Sequence, residues 1–217
     1  MPGGKIAPKA VVGRVSLYLR QLESYQRQGL TTVSSSQLGD PLSIKNAQVR
    51  KDLAFFGQFG HAGIGYRIGE LIGVLRHIIG VDRDWPLVLV GLGNLGRALL
   101  KYRGFRTRGF HIVALFDNDR SKIGANHDGL VVEPIESLGR IVAQHDIRLA
   151  ILAVPADAAQ GVADQLVARG IRGILNFAPV SLLVPPGVNL VGVDLSVQLQ
   201  NLVYKVQQSQ GEVSCAG

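Results

Sequence analysis

Three glycines in the spacing Gly91-x-Gly93-x-x-Gly96 form the pattern with the clearest chemical meaning in this chain. They follow an apolar run at residues 87–90 and precede a helix-like segment, which is the order of strand, tight turn and helix that binds a diphosphate. The first glycine permits the turn, the second lets the main chain approach the pyrophosphate, and the third lets the helix pack against the strand. The helix N-terminus then offers unpaired N–H groups to the phosphates.

An acidic residue supports this interpretation. Asp117 lies 21 residues after Gly96, at the end of the next apolar run. A carboxylate at that position would accept hydrogen bonds from ribose hydroxyls and repel a 2′-phosphate, which favours NAD(H) over NADP(H). Arg120 and Lys122 are close enough in sequence to temper this preference. The pattern predicts a dinucleotide site, and the alternative is a glycine turn that binds nothing.

The remaining reactive residues do not form a catalytic pattern. A hydride-transferring enzyme needs an acid or base beside the nicotinamide, and Tyr102 and Tyr204 lack the lysine four residues later that such enzymes often use. The five histidines show no metal-ligand spacing. One helical segment follows the last predicted strand, so we expect no substrate domain. We therefore expect neither catalysis nor a metal site, and turnover of a small substrate would identify the alternative, a nicotinamide-dependent enzyme.

Charge divides the chain into two parts. Residues 1–80 contain ten Lys and Arg against four Asp and Glu, whereas the remaining residues contain thirteen against twelve. A basic small domain beside a nearly neutral larger one indicates a polyanion partner for the first domain only. The overall composition, 47% hydrophobic and 18% charged, is typical of a folded globular protein.

The composition also favours a cytoplasmic protein. No apolar stretch approaches the ~18 residues that span a bilayer, and residues 1–9 lack the apolar segment of a secretory signal. The single cysteine, Cys215, lies in a polar tail and cannot form an internal disulfide. We expect a cytoplasmic protein without a membrane partner.

The first eighty residues predict three helices, a hairpin and a further helix. Apolar residues at helical spacing cover residues 9–28, with Gly29 as the stop, and Ser34 to Ser36 can cap a brief second helix that ends near Gly39. Ser43 is expected to cap a third helix that runs to about Phe56. Residues 57–66 contain four glycines and predict a hairpin, and residues 68–79 are helical again. This order is typical of a winged helix-turn-helix, and the alternative is a small helical bundle without a partner.

The third predicted helix carries the candidate contacts to nucleic acid. Asn46, Arg50 and Lys51 can donate hydrogen bonds to phosphates or to base edges in the major groove. Val49, Leu53 and Phe56 would anchor the opposite face. In a basic domain this pattern favours contact with DNA over a merely solvated face.

The rest of the chain alternates between apolar runs and helical stretches. The runs lie at residues 87–90, 112–116, 147–154, 171–175 and 188–193, and the helices near residues 94–102, 134–145 and 157–169. Strands that are apolar on both faces and alternate with helices predict a parallel sheet covered on both sides. Residues 194–208 form a last helix with an apolar stripe, for which we expect a partner surface on a second subunit.

Taken in order, these residues resemble the Rex family of bacterial redox-sensing transcriptional repressors from Ala10 to about Gln208. The matching stretches in the basic half are Tyr18-Leu19-Arg20, residues 35–39, residues 48–53 and Gly63-Ile64-Gly65-Tyr66. Those in the second half are residues 91–96, residues 102–105, Phe116-Asp117-Asn118-Asp119, residues 173–179 and Val193-Asp194-Leu195. Each stretch alone is modest evidence, and their shared order is highly specific.

The resemblance implies an α/β protein in which a winged helix-turn-helix precedes a Rossmann-type doubly wound parallel sheet. We assign the DNA-binding domain to residues 1–80, the NAD(H)-binding domain to residues 85–193, an exchanged dimerisation helix to residues 194–208 and a tail to residues 209–217. The resemblance further implies a homodimer that represses transcription when NADH is low and leaves a palindromic operator when NADH binds.

The site residues follow from the motifs and the resemblance together. We expect the nucleotide site to comprise Gly91, Leu92, Gly93, Asn94, Leu95, Gly96, Asp117, Asn118, Lys122, Val154, Pro155, Asn176 and Phe177. The expected DNA contacts are Ser36, Lys45, Asn46, Gln48, Arg50, Lys51, His61 and Tyr66. Arg20, Tyr102 and Asp194 match residues that form a switching polar network in the family.

One stretch departs from the family. The family wing usually carries basic residues where this chain has His61-Ala62. The resemblance therefore does not supply an arginine at the wing tip for the minor groove, and neighbouring groups would have to make that contact.

Redox sensing is expected to depend on the charge of the nicotinamide ring. Oxidised nicotinamide is a cation and the reduced ring is neutral, so a pocket formed by Pro155, Phe177 and Leu195 of the partner subunit would penalise the oxidised form. A further alternative is a coenzyme A- or nucleotide-binding module whose basic domain contacts an acidic protein. Retention on bulk DNA with a steep salt dependence would disfavour that module.

Overall fold

A computed structural model describes residues 7–214 of the chain, so the expectations for residues 1–6 and for Cys215 lie outside the described residues. The chain divides into two units, Met1–Asp84 and Trp85–Gly217.

The first unit is built on helix α1, Lys9–Arg27. Val15, Tyr18, Leu19 and Leu22 recur at helical spacing and are buried. The helix ends at Arg27 with Gln28 at the C-cap position, and Gly29 follows with a positive φ of 82° that permits the turn out of the helix. This agrees with the predicted helix and its stop.

Two short helices precede the candidate recognition helix. Strand β1, Thr32–Val33, leads to α2, Ser35–Gly39, whose N-terminus is capped by Ser34 in a capping box with Gln37. A 3₁₀ helix, Asp40–Leu42, and then α3, Asn46–Ala54, follow.

The expectation that Ser43 caps the third helix is wrong. Ser43 closes the 3₁₀ helix in a left-handed conformation with φ 55°, and Lys45 stands at the N-cap position of α3 without a side-chain cap. Asp40-Pro41 starts this extra turn, which ends at Leu42. Residues 43–45 then connect it to α3, which begins at Asn46.

The hairpin and the last helix complete a winged-helix domain. Strands β2, Gly60–His61, and β3, Gly65–Arg67, pair antiparallel, and β1 pairs with β3 on its other side. Strand β1 thus adds a third strand to the hairpin. Helix α4, Ile68–Ile79, follows with its bounds as predicted, and Ile68, Leu71 and Leu75 are buried in the shared core.

The second unit is a seven-stranded sheet. Its strands are β4 (Trp85–Val90), β5 (Phe110–Phe116), β6 (Asn126–His127), β7 (Leu130–Glu133), β8 (Leu149–Leu152), β9 (Gly173–Asn176) and β10 (Asn189–Gly192). The order across the sheet is β10-β9-β8-β4-β5-β7-β6, and every pair is parallel except β6 with β7. Without the edge strand β6, this is the order 6-5-4-1-2-3 of a Rossmann fold.

Helices cover both faces of the sheet, as two distinct apolar cores show. Helices α7 (Leu138–Gln144) and α8 (Ala156–Ala168) pack against Val88 and Val90. Helices α5 (Asn94–Leu100) and α6 (Arg103–Arg106) lie with the core that contains Leu87 and Leu89 on the other face. Successive residues of β4 therefore point to opposite faces, and both faces are buried.

The structure differs from the sequence expectations at the sheet edge and at the C-terminus. The β6–β7 hairpin was not predicted, and residues 134–145 begin with a 3₁₀ turn, Ile135–Ser137, before α7. The last helix, α9, extends over Leu195–Ser214, so residues 209–214 continue the helix that was expected to end at residue 208.

Candidate functional site

A cavity of about 450 Å³ lies at the carboxyl ends of β4, β5 and β8. The chain continues from β4 to β5 on one side, and the later strand β8 pairs with β4 on the other side, so the strand order reverses at this point. Ligands of open α/β sheets bind at such a switch point. The cavity is lined by Val90, Gly91, Gly93, Asp117, Asn118, Asp119, Lys122, Ile135, Ala153, Val154, Pro155, Asp157, Ala158, Val162 and Gln165.

The three glycines of the turn have three different surroundings. Gly91 has φ 96°, and a side chain there would overlap the main chain of Ala153. A side chain at Gly96 would overlap the carbonyl oxygen of Gly91, so this glycine lets α5 approach the strand. A side chain at Gly93 would meet no protein atom within 4 Å. The open space at Gly93 faces the cavity and leaves the main chain accessible to a ligand.

Asp117 fastens the glycine turn to the next strand. Its carboxylate is only 6% exposed and accepts hydrogen bonds from the N–H groups of Leu92 (2.8 Å) and Asp119 (2.9 Å) and from Lys122 Nζ (3.0 Å). Burial acts to raise the pKa of Asp117, but these donors outweigh it and hold the pKa below its ordinary value. The group is therefore an ionised acceptor with little freedom to move.

Lys122 lies between two carboxylates at this end of the cavity. Its Nζ is 3.0 Å from Asp117 Oδ2 and 3.6 Å from Asp119 Oδ2. Two negative charges against one positive charge disfavour an additional phosphate, which supports a preference for a ribose with a free 2′-hydroxyl.

The predicted nucleotide residues are only partly gathered at the cavity. Gly91, Gly93, Asp117, Asn118, Lys122, Val154 and Pro155 line it. Leu92 is buried beneath the turn and contributes its N–H to Asp117, and Gly96 is buried against Gly91. Asn94 and Leu95 begin α5 and are exposed, and the amide oxygen of Asn94 accepts a hydrogen bond from Arg97.

Asn176 is the last residue of β9 and Phe177 follows it, and neither lines the cavity. The Asn176 amide donates to the carbonyl oxygens of Ala178 and Val180 and accepts from the N–H of Ala178, so it shapes its own loop. Phe177 packs at the edge of the core shared with Leu89. Contact of either residue with a nucleotide remains a prediction.

Sequence reasoning missed several lining residues. They are Val90, Asp119, Ile135, Ala153, Asp157, Ala158, Val162 and Gln165. Asp119 could have been found from its place two residues beyond Asp117, and the stretch after β8 from the rule that carboxyl ends of neighbouring parallel strands share one edge. Nothing in the spacing of Val162 or Gln165 distinguishes them from other residues of α8.

In the first unit, α3 presents a polar and cationic surface. Lys45, Asn46, Arg50 and Lys51 are exposed, whereas Val49 and Leu53 are buried beneath them. Arg50 donates to Ser35 Oγ at 3.0 Å. Asn46 donates to Ser36 Oγ at 3.2 Å, which brings the start of α2 and this face of α3 together.

A buried carboxylate attaches α3 to α1. Asp52 is 1% exposed and accepts hydrogen bonds from Arg14 (2.6 and 2.8 Å), Tyr18 (2.8 Å) and Gln48 (2.7 Å). Burial acts to raise the pKa of Asp52, but the three donors outweigh it and the pKa lies below its ordinary value. Gln48, a predicted DNA contact, is half-buried, and its amide donates a hydrogen bond to Asp52.

The wing exposes one of its two predicted contacts. His61 is exposed on β2, and Ile64 at the tip is 53% exposed. Tyr66 is 7% exposed in the core of the unit, and burial raises the pKa of its hydroxyl. Little of Tyr66 can reach a ligand in this conformation.

The three residues of the expected switch have separate local roles. Arg20 is exposed on α1 of the first unit. Tyr102 is 55% exposed and stacks edge-on against Phe105, and Asp194 Oδ1 accepts the N–H groups of Ser196 and Val197 at the start of α9. No hydrogen bond joins Tyr102 to Asp194 within residues 7–214.

Residues 7–214 contain neither a membrane-spanning helix nor a cluster of metal ligands. None of the helices described is long and apolar enough to cross a membrane. Among the same residues no three His, Cys, Asp or Glu side chains cluster as a metal ion would require.

Two family models match the chain. Residues 6–54 match a family described as the N-terminus of putative DNA-binding proteins, and residues 82–180 match the CoA binding domain. The first match covers α1 to α3, and the second covers β4 to β9 and the cavity.

Full-length relatives and solved structures give the same assignment. The chain is 48% identical to the redox-sensing transcriptional repressors Rex of Pelotomaculum thermopropionicum (94% of this chain, 96% of the relative) and Carboxydothermus hydrogenoformans (96% and 100%). It is 34% identical to the Rex-family repressor RSP solved with beta-NAD+ and operator DNA, with a TM-score of 0.89 over 99% of both chains. It is 32% identical to RSP solved with beta-NADH, with a TM-score of 0.87 over 97% of this chain and 99% of that chain.

These comparisons confirm the expected winged-helix domain and Rossmann-type sheet. The relatives are named as repressors, which confirms the expectation of a regulator instead of an enzyme. With this identity over nearly its full length, the chain belongs to the Rex family of redox-sensing transcriptional repressors.

Proposed function

We propose that this protein is a cytoplasmic repressor that binds operator DNA as a homodimer and leaves it when NADH binds. The observation that carries the proposal is the similarity over 99% of the chain to RSP, which was solved with beta-NAD+ and operator DNA. The same fold was solved with beta-NADH. The two candidate sites described above fit these two classes of ligand.

DNA recognition is assigned to α3 and the wing. Arg50 and Lys51 lie on the exposed face of a helix whose opposite face is buried, as a helix inserted in the major groove requires. Ser36, Lys45 and Asn46 border that face and can donate to phosphates. Two such helices in a homodimer would recognise a palindrome with half-sites one helical turn, or a multiple, apart.

Dimerisation is assigned to α9. Leu195, Leu199, Leu202 and Val203 are each more than half exposed on this helix. A terminal helix with so much apolar surface in contact with water is stabilised when a second copy of the chain covers it. We infer that α9 is exchanged between subunits, with Asp194, Tyr102 and Arg20 as the polar network that couples the subunits.

Nucleotide binding is assigned to the cavity at the switch point. The main chain at Gly93 and the start of α5 would face the diphosphate, and Asp117 and Asp119 would face the ribose end. Ile135, Val154, Pro155 and Val162 add an apolar lining. An apolar surrounding penalises the positive charge of oxidised nicotinamide, so the reduced form should bind more tightly, by tenfold for each ~1.4 kcal/mol of difference.

Release of DNA requires more than tight binding of NADH. A ligand shifts a conformational equilibrium only if it binds one state better than the other. NADH must therefore prefer the dimer that does not bind DNA, and DNA must weaken NADH by the same factor.

The proposal is tested by titrating the operator complex with each cofactor. We expect NADH to release the DNA at a concentration at which NAD+ does not, as measured by fluorescence anisotropy of labelled operator. A variant with Gly93→Val should keep the DNA and lose the response. Equal release by both cofactors would refute redox sensing, and retention of the DNA at saturating NADH would refute the repressor mechanism.

Coenzyme A is the second candidate ligand, because the sheet matches the CoA binding domain family. It shares the diphosphate that the glycine turn accommodates. Addition of coenzyme A to the same operator complex separates the two, since only a CoA-responsive protein would release the DNA without NADH.

A further inference from the structure

A second cavity, of about 330 Å³, lies at the amino ends of the parallel strands. The nucleotide cavity, called the nucleotide groove below, lies at their carboxyl ends. The second cavity is formed by the loop between α7 and β8 and the loop between α8 and β9, at the amino ends of two neighbouring parallel strands. Its lining combines an apolar floor of Val142, Ala143 and Ile147 with three arginines, Arg148, Arg169 and Arg172. One carboxylate, Asp146, also lines it.

The guanidinium groups of this cavity make few hydrogen bonds or ion pairs with other described residues of the protein. Arg148 pairs with Asp146 at 3.2 Å, but the two side chains are 60% and 83% exposed, and such pairs contribute little to stability. Arg172 has no side-chain hydrogen bond or ion pair with another residue of the described chain. The three positive charges therefore exceed the local negative charge.

Stabilisation of a helix C-terminus explains the position of only one of these three arginines. Helices α7 and α8 both end here, and cations at helix C-termini are stabilised by the helix dipole. Arg169 serves this purpose, since it donates to the carbonyl oxygen of Gln165 in the last turn of α8. Arg148 and Arg172 immediately precede strands, so a capping role does not explain them.

The framework that holds the arginines is rigid. The N–H groups of Arg172 and Gly173 both donate to the carbonyl oxygen of Arg148, at 2.8 and 3.0 Å, which fixes the two loops side by side. Ile147 and Ile171, next to these arginines, are almost fully buried. Fixed main-chain positions reduce the entropy that arginines lose when they close on a ligand.

A neighbouring glycine directs the third arginine towards the cavity. A side chain built at Gly139 on α7 would approach Cδ and Nε of Arg169 to 3.6 Å. The Arg169 side chain thus lies across the surface of α7 that Gly139 leaves open, on the side of Val142 and Ala143. All three arginines line one concave space.

We propose that this cavity is a second ligand site, distinct from the nucleotide groove, and that it binds a small organic molecule with two or more phosphate groups. Guanidinium groups bind phosphate oxygens through paired, charge-assisted hydrogen bonds, and the methyl group of Ala143 adds an exposed apolar contact beside them. The volume is at the lower end of the range for ligand pockets, which excludes a whole dinucleotide. The site belongs to the Rossmann unit alone and does not depend on DNA binding.

The test uses pyrophosphate as the probe in calorimetric titrations of the full-length protein. Pyrophosphate can also enter the glycine turn, so the titrations use the Gly93→Val variant, in which that turn is obstructed. We expect saturable binding there, and about tenfold or greater weakening when Arg172→Ala or Arg148→Ala is added. Arg140→Ala is the matched control, because Arg140 is an exposed arginine of α7 outside the cavity lining and should leave binding unchanged.

Three outcomes would overturn the proposal. They are the absence of saturable binding in the Gly93→Val variant, equal weakening by Arg140→Ala and Arg172→Ala, and tighter binding of citrate than of pyrophosphate. Thermal unfolding of each variant without ligand separates loss of the site from loss of the fold. A negative result in this test would not contradict the proposed NADH site, because NADH binding is measured separately in the protein with an unaltered glycine turn.

Discussion

Arg14 of α1 donates two hydrogen bonds to the carboxylate of Asp52 on α3, through Nε at 2.6 Å and Nη2 at 2.8 Å, across 38 residues of chain. The two-point contact fixes both the distance and the rotation of α3 relative to α1. Tyr18 and Gln48 complete the set of donors, so the buried carboxylate has no unsatisfied oxygen. The candidate recognition helix is thus positioned by a charge on its hidden face, opposite to the residues proposed to contact DNA.

Substitution of Asp52 should destabilise the first unit. Asp52→Ala leaves Arg14 and Tyr18 without their shared acceptor, and we expect a loss of about 2–3 kcal/mol in unfolding free energy. The matched control is Glu70→Ala, since Glu70 also pairs with an arginine, at 3.0 Å, but is 62% exposed and should cost less than about 1 kcal/mol. Hydrogen exchange of α1 and α3 amides measures both losses, and equal losses would contradict this account.

The same carboxylate should make the first unit sensitive to acid. The pKa of Asp52 is lower in the folded protein than its ordinary value of about 4, so its stabilisation is complete above that value and is lost as the pH falls below it. Protection of α3 amides should therefore decrease between about pH 4 and pH 2 in the wild type. In Asp52→Asn the decrease should be shallower, and parallel pH profiles for the two proteins would exclude Asp52 as the titrating group.

The glycine turn and Asp117 of the nucleotide cavity could be predicted because their determinants are local in sequence. Gly91, Gly93 and Gly96 lie within six residues and their backbone requirements follow from the turn itself. Asp117 was placed by the rule that the next parallel strand ends beside the glycine turn. Its hydrogen bond to Leu92 was not foreseen, because it depends on the register of β4 against β5, which shifts between Leu87 and Val88.

The Asp52 network and strand β7 were not foreseeable for different reasons. Asp52 follows Arg50-Lys51 and has the pattern of a solvated charge, and only the position of Arg14 on another helix shows that it is buried. Strand β7 comprises four residues after a turn, with one buried side chain, Val132, which is too short to show periodicity. Contacts between distant segments decide both cases.

Gly96 should be one of the glycines on which the fold of the second unit depends. In Gly96→Ala the new methyl group would overlap the carbonyl oxygen of Gly91, and relief requires a shift of main chain at a cost of about 1–3 kcal/mol. Gly161→Ala is the control within α8, since a side chain there meets nothing within 4 Å. Thermal unfolding followed by fluorescence of Trp85, the single tryptophan, should show a lower midpoint for Gly96→Ala only.

Gly93 should affect ligand binding without affecting the fold. Its φ of −70° suits any residue and a side chain would enter open space, so Gly93→Val should unfold like the wild type. The valine would occupy the place where the main chain meets a diphosphate, and NADH affinity should fall about tenfold or more. Gly161→Val controls for the added side chain. Unchanged NADH affinity in Gly93→Val, measured by calorimetry, would place the diphosphate elsewhere.

Lys51 should contribute to DNA binding through charge alone. It is exposed on α3 and pairs with no carboxylate in the described chain, so Lys51→Ala should weaken binding to specific and non-specific DNA alike and lower the salt slope by about 1. Arg50→Ala should instead reduce the preference for the operator, because Arg50 is oriented by Ser35 and has the geometry to read a guanine. The control is Arg27→Ala at the end of α1. It removes the same charge from an exposed residue that is not among the proposed DNA contacts. Equal salt slopes for Lys51→Ala and the wild type would exclude Lys51 from the phosphate contacts, whereas a reduced slope with unchanged NADH affinity would assign it to the DNA surface.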